Sequence, residues 1–113
     1  MAKIELKIYS ASNKKEVEKV YTAEGYELLM GTIDDFIAII DIDKLSDNVE
    51  VAKMVAKGYG KIKPLLTDIF PELTDEEYRR VSLNGLIETV LQIGASVVEN
   101  ISLVNIEKNL TRA

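Results

Sequence analysis

The chain has 113 residues, of which 47% are hydrophobic and 29% charged, and it carries a formal net charge of −5. That length supports one domain with a modest core, and the composition is that of a folded chain rather than a disordered one. The acidic balance argues against nucleic acid as a default partner, since phosphate is held by basic surface, and the lack of cysteine excludes disulfides and thiolate chemistry.

The first predicted element follows from Lys3-Ile4-Glu5-Leu6-Lys7-Ile8, where apolar and charged residues alternate with period two. A polar turn over residues 10–15 leads to a second, less regular strand over 16–22, so that residues 1–22 read as a β-hairpin. Two strands alone are marginal in water, so the hairpin must lie on helices or be extended by a strand from another chain. The alternating start is unlike a signal peptide. No segment approaches the roughly eighteen uncharged apolar residues of a membrane span, and the expectation is a cytoplasmic protein without membrane contact.

A helical part follows over residues 32–104. Thr32-Ile33-Asp34-Asp35 predicts a capped helix start, with Gly31 in the turn before it and Ile33, Phe36, Ile37 and Ile40 recurring at helical spacing. Residues 41–48 form an acidic loop. Asp47, with Glu50 three residues on, caps a helix whose apolar positions include Val51, Val55 and Ile62. Gly58 and Gly60 weaken that run, and Pro64 suits a first helical turn, so the spacing predicts a break over 58–63 and a short helix over 64–70. Phe70-Pro71 stops that helix, and Thr74-Asp75-Glu76-Glu77 is a capping box.

Residues 83–98 carry Leu83, Leu86, Ile87, Val90, Leu91, Ile93, Val97 and Val98, apolar around more than half of a helix and therefore central to the core. Gly94-Ala95-Ser96 would let a neighbour approach closely. Beyond them, Ile101, Val104 and Ile106 either offer contact surface to a second copy or a client, or fold back over the hairpin. Residues 105–113 are a polar tail. The fold class is thus α+β and mainly helical: a single domain, 1–113, with an N-terminal hairpin packed on four to five helices.

Catalytic chemistry finds little to stand on. Histidine is absent, which removes the commonest general base and every Ser-His or Cys-His arrangement. Asp34/Asp35 and Glu76/Glu77 are neighbours in first helical turns, where side chains diverge by about 100° and serve capping and the helix dipole. Asp41, Asp43 and Asp47 imitate a calcium loop, but Ser46 replaces its glycine and Ala52 its closing glutamate. Gly58-Tyr59-Gly60-Lys61 lacks the strand before and the hydroxyl after that a phosphate loop needs. Residues 75–98 imitate a helix-turn-helix, with Asn84-Gly85 in the turn, yet the second helix carries no Lys or Arg up to Val98. No catalytic, cofactor-binding or metal-ligating residue is assigned, and the expectation is a protein that is not an enzyme. Lys53, Lys57, Lys61 and Lys63 gather positive charge on one side, either as a solvated face or as a patch for an acidic partner.

One sequence of elements carries a resemblance. An N-terminal Lys-Ile-Glu-Leu-Lys-Ile hairpin, an acidic loop between helices, Phe70-Pro71, Leu73-Thr74-Asp75-Glu76-Glu77, the basic Arg79-Arg80, Asn84-Gly85 and a final apolar helix together resemble the tail assembly chaperones of phages and prophages of Gram-positive bacteria. The resemblance spans most of the chain and its motifs are structural. It implies a cytoplasmic holdase in the infected cell, absent from the mature virion, that coats the helical tape measure protein and helps recruit tail tube subunits. It also implies a protein–protein interaction role, and often a longer frameshifted product; a homo-oligomer stands beside these partners as an open alternative that the sequence does not decide. From the residues alone, the rival is a small self-associating structural or adaptor protein without a client.

Overall fold

Strand β1 (Ile4–Tyr9) buries Ile4, Leu6 and Ile8 completely and leaves the alternate residues half-exposed, as its pattern requires. The structure is a computed structural model that describes the backbone of residues 3–24 and 28–112 and the side chains of residues 3–24 and 28–99. Strand β2 (Val17–Ala23) pairs with β1 antiparallel, from Ile4 opposite Ala23 to Ile8 opposite Lys19. A bulge then brings Val17 opposite Tyr9. Only Tyr21 of β2 is buried, hence the weak alternation of that strand.

Helix α1 (Met30–Ile39) begins before Thr32. Leu29 holds the cap position without a side-chain bond, Gly31 lies inside the helix, and Asp34 and Asp35 fall beyond the first turn. Thr32 is not a cap because it is buried, its hydroxyl donating to Asp68 Oδ2 at 3.4 Å. Ile33, Phe36 and Ile40 face the core, but Ile37 is 48% exposed. The first three suffice to bury one side of α1, and Ile37 lies outside that stripe.

A 3₁₀ turn (Ile42–Lys44) follows, capped by the Asp41 carboxylate accepting from Asp43 N. Helix α2 (Asn48–Lys57) starts as the sequence indicates, with Asp47 Oδ1 accepting from Val49 N at 3.1 Å and Glu50 N at 3.2 Å. The break after α2 is narrower than 58–63. Gly58 alone separates it from α3 (Tyr59–Ile69), donating to Met54 O and accepting from Lys61 and Ile62 N–H. Pro64 sits inside α3, where it forfeits a bond to the carbonyl of Gly60, a residue with no side chain to crowd it. Burial of Ile62, Leu65, Leu66 and Ile69 along one stripe outweighs that loss.

Phe70 closes α3, and α4 (Asp75–Tyr78) opens on the full capping box: Glu77 N donates to the Thr74 hydroxyl and Thr74 N to Glu77 Oε1, both at 3.1 Å. Tyr78 stacks on Tyr59 with centroids 4.4 Å apart. Each phenol donates to the other residue's backbone carbonyl, at 3.0 Å from Tyr59 and 2.5 Å from Tyr78. Burial raises the Tyr78 phenol above its ordinary pKa.

Helix α5 (Leu83–Arg112) opens at Ser82, whose hydroxyl accepts from Gly85 N at 2.9 Å. Asn84-Gly85 therefore belongs to its first turn and not to a turn between helices. Leu86, Val90, Ile93 and Val97 are buried, Ile87 and Leu91 partly so, while Leu83 and Val98 are exposed. Helix α5 packs on β1 and α2, and α1 packs on α3. A Cβ on Gly94 would lie 2.7 Å from Leu45 Cδ1, so the small residue there admits the 3₁₀ segment as a neighbour. The architecture is α+β and mainly helical, among the described residues a two-stranded hairpin on five helices. Among the described residues, no helix is long and apolar enough to cross a membrane.

Candidate interaction surfaces

The two edges of the hairpin differ in what meets them. Along the outer edge of β1, Glu5 N donates to Gln92 Oε1 at 2.7 Å and Thr89 Oγ1 donates to Glu5 O at 2.5 Å. Further along, Tyr9 N donates to Arg80 O at 2.9 Å and Arg80 Nη1 to Tyr9 O at 2.8 Å. Polar side chains of α5 and the loop before it thus take the place of a third strand. The edge of β2 has no such cover among the described residues.

Glu77 ties β2 to α4. Its Oε1 accepts from the Tyr21 hydroxyl at 2.6 Å, and Lys19 Nζ lies 3.1 Å from Oε2. The Tyr21 hydroxyl bond, with the Thr74 and Lys19 donors, holds the Glu77 carboxyl at about 2, well below its ordinary 4.5, against the opposing effect of burial. Arg80 is forked onto Glu76 (2.5 and 2.9 Å) and reaches Glu18 Oε2 at 2.8 Å. The acidic first turn of α4 is spent on caps and ion pairs.

The lysines are distributed over two helices. Lys53 and Lys57 lie one turn apart on the exposed side of α2, and Lys53 Nζ is 3.8 Å from Glu50 Oε1. Lys63 is paired with Asp75. Lys61 stands at the rim of a groove of about 390 Å³ between α1 and α3, with Asp35 at the rim and Ala38, Ile39, Pro64 and Leu65 lining it. The backbone of α5 carries Ile101, Val104 and Ile106, whose side chains lie outside the described residues.

Sequence patterning missed three large apolar side chains left in water around α1. Leu29 is 69% exposed, Met30 74%, and Ile37 stands two turns along from Met30. The adjacent pair Leu29-Met30 gives no periodic signal, and Ile37 shares the helical spacing of its buried neighbours Ile33, Phe36 and Ile40. Among the described residues no cluster of three acidic side chains could hold a metal ion; Asp41 and Asp47 instead serve as caps. No family model matches this sequence, and comparison with curated proteins and with solved structures likewise returns no match.

Proposed function

We propose that the protein is a non-enzymatic tail assembly chaperone of a phage or prophage. It binds and solubilises the tape measure protein in the bacterial cytoplasm, helps recruit tail tube subunits, and is left out of the mature virion. The observation that carries the reading is the exposure of three large apolar side chains around α1, Leu29, Met30 and Ile37, in a fold that also has a mostly apolar α1–α3 groove with Asp35 and Lys61 among its lining residues. A holdase must keep such surface in water until a client covers it, and an amphipathic client helix presents apolar residues at matching intervals of three and four. The groove's rim charges of both signs suit the polar flanks of such a helix.

Co-expression with the tape measure protein encoded beside it tests the proposal. The expected result is a client that stays soluble with the wild-type chain and precipitates with the L29S/M30S/I37S variant, which itself remains folded because none of the three is in the core. A client whose solubility is indifferent to the wild-type chain would overturn the reading and leave the self-associating adaptor in its place.

A further inference from the structure

Since the Glu5 N–H and C=O are both engaged by α5, Glu5 faces away from β2, and Glu5–Thr22 is a non-hydrogen-bonded pair of the ladder. By the same alternation Lys7–Val20 is another. The N–H and C=O groups of Val20 and Thr22 therefore point outward from the far edge of β2, and among the described residues nothing meets them. Val17 and Val20, 39% and 44% exposed, lie on the face of the hairpin opposite the core. An open, β-branched edge of this kind is a template for another strand.

We infer that β2 pairs antiparallel with β2 of a second copy, with Val20 on the two-fold axis. In that register the outward N–H of each Val20 donates to the Val20 carbonyl of the other copy. Thr22 comes opposite Glu18 and Lys19 opposite Tyr21, so no like charges oppose each other between residues 18 and 22. Closure favours a second copy over a foreign peptide. A peptide strand would leave its own far edge open, whereas self-pairing gives a four-stranded sheet whose outer edges are both β1, already covered at Glu5 by Thr89 and Gln92 and at Tyr9 by Arg80. The contact is a single strand, so the dimer is a weak, concentration-dependent one. The inference does not rest on the chaperone reading.

Sedimentation of the full chain over roughly 1 µM to 1 mM should carry the mass from 12.6 kDa to twice that value. V20K should remain monomeric with an unchanged circular dichroism spectrum, and an equimolar mixture of V20K and V20E should recover the larger species, because this register sets those two positions face to face. As the chain has no cysteine, V20C supplies a single thiol that should cross-link on air oxidation. T22C should not, its two copies being about 14 Å apart in this register. Should V20K fail to fold, the contrast between V20C and T22C decides alone. A wild-type chain monomeric throughout, a V20K dimer, a mixture that stays monomeric, or equal cross-linking of V20C and T22C would each overturn the inference.

Discussion

Replacing Glu77 with Gln tests how far one carboxylate holds the hairpin to the helices. Glu77 accepts from Thr74 N and the Tyr21 hydroxyl and faces Lys19. Its carboxyl titrates near 2 in the folded chain against an ordinary 4.5. That difference is worth about 3 kcal/mol at full value, and screening at the exposed Lys19 side reduces it to roughly 1–2 kcal/mol. Because the folded value is the lower one, the stabilisation is complete above the unfolded carboxyl's pKa and fades as pH falls from about 5 towards 2. E77Q should therefore be less stable than wild type by about 1–2 kcal/mol at pH 7, and the gap should shrink to roughly a quarter of that by pH 2.5. Urea titrations at pH 7, 5, 4 and 2.5, followed by circular dichroism, measure it. A gap that stays constant down to pH 2.5 would mean that shape and not charge accounts for the loss, and would refute the argument.

Leu86→Ala should cost roughly 2–4 kcal/mol in denaturant titrations, because Leu86 is buried, while Ile87→Ala should cost visibly less, its side chain being only partly buried. Thr89→Val keeps the volume but strips the donor from Glu5 O, so a loss of about 1–3 kcal/mol is expected; a neutral result would show that water replaces the hydroxyl. Gly58→Ala should destabilise by about 1–3 kcal/mol in thermal melts, since its Cβ would lie 2.7 Å from Ile39 Cγ2 and 2.9 Å from Met54 O.

The elements legible in the sequence are those decided within a few residues. The alternation of Ile4, Leu6 and Ile8, the Asp47 cap and the Thr74–Glu77 box needed no distant partner to be read, and the structure has all of them. Thr32 misled because a hydroxyl before acids suits a cap equally well as a buried bond, and the deciding partner, Asp68, lies 36 residues away. Pro64 misled for a related reason. Its local cost was visible, but the stripe from Ile62 to Ile69 that keeps α3 formed through it acquires value only once α1 covers it. The seam between Glu5 and α5 left a single trace in the sequence, Thr89 and Gln92 as polar residues set among the apolar Leu86, Val90, Leu91 and Ile93. Of the candidate surfaces, the lysines were read as charge without the split that Gly58 imposes. The apolar residues around α1 stayed hidden because exposure is a property of the packed chain.

The mutual bonding of Tyr59 and Tyr78 bears on the order of assembly. The two residues are 19 apart, whereas the contacts that fasten β1 to α5 join residues 84 and 87 apart. Closing the shorter loop spares about 1 kcal/mol of chain entropy. The stretch from α3 to α4 can thus form early as a local hairpin of helices, with the phenols as its latch, and β1 must wait for the far end of the chain. Weakening the latch, by Tyr59→Phe with Tyr78→Phe, then slows refolding, whereas weakening the β1–α5 seam chiefly hastens unfolding. A chain synthesised from its N-terminus would hold its hairpin unsealed until α5 emerges, so that β1 and β2 are both open edges for as long as translation takes.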